Sequence, residues 1–376
     1  MYYITAESVG RGHPDKMADL LADALLDDYL TKDHQARVAL EVLIKDNLIV
    51  VAGEVHSRQA INIERRVRFW LRKSGYVHES FGSKHAVIIN KVMTQSSELN
   101  HLLVDGDGVL VAGDQGFQVG FACDDTEYLM PAAIDCAHQL VHQTHQLPLD
   151  IIGCDVKAMV SVAYQSGCVS HIDSVILSAQ HGSEVSINEV RALLKESVLP
   201  NALPQAWLTQ DTQVYTNPGG TFIIGGPIAD CGVTGRKLMV DSYGGAVFHG
   251  GGAYSGKDPS KMDRSGAYFA RYIAKNIVAA GLARWVTVTL HYVIGSAQPM
   301  RIMITTGHQQ VINKPLISMV HNVLSLKPDD ILQRLELHQP IYSDSGYLGH
   351  FGRFAKDKPW EKLDMVEQMR DYMATV

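Results

Sequence analysis

Apolar positions along the chain follow two rhythms, a period of two and a period near 3.6, and the order in which they alternate recurs. Residues 38–55 read as two apolar strands around the turn Lys45-Asp46-Asn47, followed by an amphipathic helix over 60–73 carrying Ile63, Val67, Trp70 and Leu71. Residues 155–178 give a second hairpin around Gln165-Ser166-Gly167, then a helix opened by Ser186 and continued by Val190, Leu193, Leu194 and Val198. A third hairpin, over 285–306 around Gly295-Ser296-Ala297, precedes a helix over 316–324. Three hairpin-plus-helix units at domain-like spacing predict an α+β fold of three similar domains, each an antiparallel sheet with helices packed on one face. Hairpins of this kind are common, so the pattern by itself also admits chance recurrence. The domain map that follows is 1–101, 109–225 and 226–376, with a polar stretch over 95–108 ending Asp105-Gly106-Asp107-Gly108 that reads as a loop.

The chain has 376 residues, 46% of them apolar, which is enough for more than one core and excludes disorder or a fibre. Thirty-three basic against 40 acidic residues give a net charge of −7, which argues against a general nucleic-acid or anionic-membrane binder. No apolar stretch approaches the length of a membrane span, and Met1 to Glu7 reaches charge before an apolar run can form. The five cysteines form no C-x-x-C pair. These features give the expectation of a cytoplasmic protein with reduced thiols.

Candidate chemistry collects at glycine-rich segments. Gly12-His13-Pro14-Asp15-Lys16 leads into a helix on which Met17, Leu20, Leu21, Ala24 and Leu25 share one face, with Pro14 suited to the first turn. His13 and Asp15 stand at that helix N-terminus, where one could meet phosphate and the other a hard metal ion. Asp15, Asp19, Asp23 and Asp27 fall on another face, and the last two read as a solvated acidic surface. Gly251 to Lys257 fits the first half of a P-loop, but Asp258 replaces the Ser/Thr that would hold magnesium, so this is not a Walker A motif. Asp258 is expected to cap a helix started by Pro259 and ended by Gly281, with Lys257 and Lys261 one turn apart. Upstream, Gly225-Gly226-Pro227 and Gly232-Val233-Thr234-Gly235 lead to Arg236-Lys237, which together with the lysine loop describes a polyphosphate site. His138, His142 and His145 have metal-ligand spacing, yet without a supporting ligand set they read as a polar outer helix face. Tyr268, Phe269, Tyr272 and Ile273 read as core.

These segments resemble the S-adenosylmethionine synthetases. The resemblance is carried by Glu7-Ser8-Val9 with Gly12 to Lys16, by Ala112-Gly113-Asp114-Gln115-Gly116, by Leu129-Met130-Pro131, and by nearly all of 222–282. Pro340-Ile341-Tyr342, Gly349-His350-Phe351-Gly352-Arg353 and Pro359-Trp360-Glu361 also fit. The resemblance implies three similar domains about a pseudo-threefold axis, ATP and L-methionine as substrates, two Mg2+ per site and K+. The implied reaction is attack of the methionine sulfur on C5′ of ATP, with the released triphosphate then cleaved to diphosphate and phosphate. It further implies His13 and Lys157 along the phosphates, and Arg236, Lys237 and Lys257 on the polyphosphate. Asp15 and Asp263 become magnesium ligands and Glu41 the potassium ligand. Methionine falls to Glu54, Gln95, Asp230 and Lys261, and the nucleotide to Asp155, Asp230, Phe222 and Ala253. The segment 95–108 corresponds to the family's gating loop, and a homodimer or homotetramer with sites at the dimer interface is implied.

The sequence departs from the family pattern in four places. Arg11 stands where Glu is usual, Thr221 where Arg is usual, and Ser97 to Leu103 lack a customary glycine. Leu348 separates Tyr347 from Gly349-His350. Beside an active synthetase, two other readings stay open: an impaired paralogue acting as a nucleotide-binding or regulatory subunit, and, from the glycine-lysine loop alone, an ordinary ATP phosphotransferase with ADP as product.

Overall fold

The computed structural model describes residues 1–73, 76, 81–95, 110–307 and 311–375. Three four-stranded sheets share one plan. The first hairpin is β2 (Arg37–Lys45) with β3 (Leu48–His56), and the parallel strand β4 (Val87–Thr94) follows α2 (Ile63–Lys73). The second is β6 (Ile152–Gln165) with β7 (Cys168–His181), and β8 (Gln213–Thr216), which follows α4 (Ile187–Leu193), again lies parallel to β7. The third is β10 (Trp285–Tyr292) with β11 (Arg301–Thr306), beside the short antiparallel β12 (Val311–Ile312). Asp46 at φ 48° and Ser166 at φ 52° take the left-handed conformation that the two tight hairpins require.

Each sheet is completed by one antiparallel strand from elsewhere in the chain. β1 (Tyr2–Val9) pairs with β6, β5 (Gly116–Cys123) with β10, and β9 (Gly232–Val233) with β2. The sheet orders are therefore β9-β2-β3-β4, β1-β6-β7-β8 and β5-β10-β11-β12. A helix packs across the first two strands of each sheet: α1 (Pro14–Lys32) on β9 and β2, α3 (Ala132–Thr144) on β1 and β6, and α5 (Met262–Ala279) on β5 and β10. This is the expected α+β plan of three similar sheets with helices on one face, but two of the sheets are mixed and not antiparallel throughout, because β4 and β8 each return after a helical crossover and run parallel to β3 and β7. The loan of a strand around the ring has no local sequence signature.

Two surface readings are corrected. Asp23 and Asp27 are buried, because α1 is covered on that side by residues from the C-terminal part of the chain. The histidines of α3 do not form a polar outer face either. His138 is buried and bonded through Nδ1 to Ser8 Oγ at 2.7 Å, with burial lowering its pKa to about 3. His145 closes the same helix, with Nδ1 2.5 Å from the Tyr347 hydroxyl and Nε2 3.0 Å from the Cys154 carbonyl. No cluster of three metal-binding side chains occurs among the described residues.

The expected core of α5 is present, with Tyr268, Phe269, Tyr272 and Ile273 buried. Gly281 at φ 74° follows the helix end as expected, but the helix starts at Met262, with Lys261 as its N-cap, and not at Pro259. Asp258 spends its carboxylate on the Ser260 and Val38 N–H groups instead. The chain beyond residue 340 folds back onto α5, where Trp360 stacks on Tyr268 at 3.9 Å. Glu361 is clamped there between Arg271 (2.9 Å) and Lys275 (2.7 Å). No helix among the described residues is long and apolar enough to cross a membrane.

Candidate active site

The site grows from the start of α1. Pro14 at the first helical position leaves His13 as N-cap, and its Nδ1 accepts the Asp15 N–H at 3.3 Å. With Nδ1 occupied as an acceptor, Nε2 is the nitrogen that carries the proton. Burial first, then the charge of Lys237, lowers the His13 pKa to about 4, so the ring is neutral at pH 7.

Asp15 is bound by the Val233 N–H at 3.0 Å and by Lys237 Nζ at 2.5 Å, with Arg236 at 3.5 Å. Burial opposes its ionisation, but the Lys237 and Val233 hydrogen bonds outweigh that and hold the carboxyl below its ordinary value. The three aspartates that follow on this face do similar work. Asp19 takes the Gly235 N–H at 2.8 Å, Asp23 the Gly256 N–H at 2.8 Å, and Asp27 the N–H groups of Tyr342 and Ser343 at 3.0 and 2.7 Å. α1 is thus a rail along which both glycine-rich loops, 232–237 and 250–257, are fastened by backbone donors.

Cations complete the rail. Lys16 sits between Asp19 and Asp241, whose carboxyls are both pushed up by burial, and Arg264 forks onto both Asp23 oxygens at 2.7 and 2.6 Å. Motif reasoning missed Lys16, Asp19, Asp241 and Arg264. The signal available was four carboxylates in register on a helix that also carries an apolar face, Met17, Leu21 and Leu25.

The two loops meet where a Cβ on Gly235 would lie 2.7 Å from Ala253 Cβ. Lys257 reaches Asp263 at 2.8 Å, and a Cβ on Gly252 would fall 2.3 Å from Asp263 Cγ, so only glycine admits that carboxylate. Lys257 also bridges to Ala39 on β2, which brings its charge near Glu41. Lys261 is held on Asp258 and does not share a helical turn with Lys257, because residues 250–261 are loop.

On the other side, Lys157 on β6 pairs with Glu7 at 2.8 Å, and its charge is felt by His13 together with that of Asp230. Asp155 accepts the Gly226 N–H at 2.7 Å, and burial raises its pKa to about 6. Phe222 is fixed by a reciprocal pair with His181, whose ring Nε2 accepts the Phe222 N–H at 3.1 Å while the His181 backbone N–H donates to the Phe222 carbonyl at 2.9 Å. His181 is a further residue that the motifs did not reveal.

The sequence-derived residues therefore fall into groups. His13, Asp15, Lys157, Asp155, Asp230, Arg236 and Lys237 share one electrostatic neighbourhood, and Lys257, Asp263, Ala253 and Glu41 adjoin it. Glu54 lies on the face of the β2–β3–β4 sheet away from α1, and Gln95 follows β4, its N–H on the Val55 carbonyl at 3.1 Å. Among the described residues no hydrogen bond or ion pair joins Glu54, Gln95 or Lys261 to His13, Lys157 or Arg236. The rest of the expected gating loop, 96–108, lies outside the described residues.

Models of the S-adenosylmethionine synthetase family match the chain in order: the N-terminal domain over residues 1–97, the central domain over 109–222 and the C-terminal domain over 224–362. The chain belongs to the S-adenosylmethionine synthetase family. Membership implies a methionine adenosyltransferase activity with ATP and methionine as substrates. The synthetase fold also explains why the site has no single-domain core: its loops come from the C-terminal segment, its rail from the N-terminal one and Lys157 from the central one.

Proposed function

We propose that this site carries out adenosyl transfer from ATP to L-methionine and then cleaves the released triphosphate. The observation that supports this best is the pairing of a neutral, Nε2-protonated His13 with the cations Lys237 and Lys157, whose charges both act on it. A thioether sulfur needs no general base. The sulfur lone pair forms the S–C5′ bond, the C5′–O bond breaks, and its electrons go to the triphosphate oxygen. The barrier then lies in charge building on that oxygen, where a donor N–H and fixed cations act most strongly. His13 Nε2–H donates to the leaving oxygen, and Lys157, Arg236, Lys237 and Lys257 neutralise the chain. Each cation is held by a carboxylate or carbonyl, which orients it before phosphate arrives.

The donor set fits magnesium. Asp15 and Asp263 are single carboxylates in the first turns of α1 and α5, each engaged by a lysine, and Mg2+ in such sites takes one or two carboxylates and completes its shell with phosphate and water oxygens. Bound Mg2+ would supply charge neutralisation of the triphosphate. Glu41, beside Lys257, offers an oxygen to K+.

The exposed sheet face supports a homodimer, or a homotetramer built from such dimers. In register across β2, β3 and β4 lie Leu43, Val50 and Ile89, next to Glu41, Ala52 and Lys91, then Ala39, Glu54 and Met93. Ile89 and Met93 are exposed, an apolar patch among acidic groups that a second copy would cover. Glu54 and Gln95 would then serve methionine in the assembled site.

The deciding experiment is incubation of the pure protein with ATP, methionine, Mg2+ and K+, with products identified by mass spectrometry. S-adenosylmethionine with diphosphate and phosphate is expected. ADP would indicate a phosphotransferase, and bound ATP without product an impaired subunit.

A further inference from the structure

Behind the loop that delivers His13 is a cavity of about 330 Å3, within the range of small-molecule sites. Met17, Leu20 and Leu21 of α1 form one wall, Trp70 and Leu71 of α2 a second, and the Tyr347 ring a third. Its mouth carries Arg11, Lys73 and Asp344. None of the phosphate-site cations lines it, so it is separate from the site described above.

The charge at the mouth is unbalanced toward positive. Asp344 is bound to Lys358 Nζ at 2.6 Å, and the neighbouring Asp28 is taken by Arg66 and by the Trp70 indole N–H. Among the described residues no carboxylate lies within ion-pair distance of Arg11; its guanidinium meets the neutral Cys154 side chain, while its Nε is buried without a hydrogen-bond partner. Lys73 lies over the Trp70 ring at 4.9 Å with no carboxylate partner among the described residues. A guanidinium nitrogen kept from water and left unpaired is costly unless an acceptor arrives.

Two of the departures from the family pattern also meet here. Arg11 and Tyr347, the latter displaced from Gly349-His350 by Leu348, face the same space although more than 300 residues separate them. Tyr347 is fixed by its hydroxyl to His145 at 2.5 Å, which keeps its ring as a wall.

We propose that this cavity binds a small aromatic or apolar molecule bearing one anionic group, the apolar part against Trp70, Leu20 and Met17 and the anion on Arg11 and Lys73. The probes are 3-phenylpropionate and its uncharged analogue 3-phenylpropan-1-ol, titrated into the full chain by calorimetry, with and without saturating ATP, methionine and Mg2+. The carboxylate should bind in both conditions, about tenfold or more tighter than the alcohol. Arg11→Gln should remove that advantage, and Leu20→Trp, which fills the cavity from another wall, should weaken both probes. Absence of binding at millimolar concentration, displacement by the substrates, or indifference to both substitutions in variants that melt like the parent would overturn the proposal. Because the titration without substrates reads binding apart from turnover, its failure is distinct from failure of the adenosyl-transfer reading.

Discussion

Two sets of cations in this molecule share chemistry and differ in surroundings. Lys16, Arg264 and Arg271 are inaccessible to solvent, and every one is matched by carboxylates or carbonyls. Lys157 and Arg236 are about half exposed, and Lys257 is held by a single carboxylate that is itself partly open. The first set has nothing left to offer a ligand and fixes the frame. The second is anchored at one point and keeps its remaining donors for an anion. Saturation, more than residue type, separates a structural cation from a functional one here.

The largest test of this contrast is Arg264→Ala. It strands Asp23 as a buried, unpaired charge, and chemical denaturation should show a loss of about 3–5 kcal/mol. Lys257→Ala should do the opposite, lowering turnover about 100-fold or more while the melting temperature stays near the parent's. Equal loss of stability in both variants would erase the distinction.

A third test uses pH. Burial lifts the Asp155 pKa to about 6, above an unfolded value near 4, so the native state holds the proton more tightly. The associated stability is fully present below about pH 4 and is lost as pH rises through 6, by roughly 1–3 kcal/mol. Asp155→Asn should therefore gain on the parent between pH 4.5 and 7.5 in paired thermal melts, and a constant gap would show that Asp155 does not titrate in this way. The smallest effect belongs to Glu7→Gln, which frees the half-exposed Lys157 and should change stability by less than about 1 kcal/mol.

What was legible in the sequence follows the same division. The hairpins and their helices are local patterns, and the runs at 38–55, 155–178 and 285–306 gave the strands because alternation along one segment specifies a half-buried strand. The glycine loops were legible for the same reason, since each is written in consecutive residues. Asp23 and Asp27 were misread because their partners, Arg264 and the Tyr342–Ser343 N–H groups, lie 241 and more residues away. On a helix drawn alone, spaced carboxylates look like a surface. His138 and His145 were misread likewise: their burial is produced by Ser8, Phe354 and Tyr347, none of them close in sequence. Side-chain roles at the site were reachable through the family resemblance, whereas the supporting Lys16, Asp241 and His181 required the fold.

The exchange of strands around the ring also bears on how the chain comes off the ribosome. β1 is made first, yet its partner β6 is finished only at residue 165, roughly ten to thirty seconds later at ordinary elongation rates. The first hairpin waits longer still for β9 at residues 232–233. No third of the polypeptide can close its own sheet before another third exists, so the nascent protein carries open edges until late. Fragments cut at the domain boundaries should therefore associate with one another or with a chaperone before they fold alone.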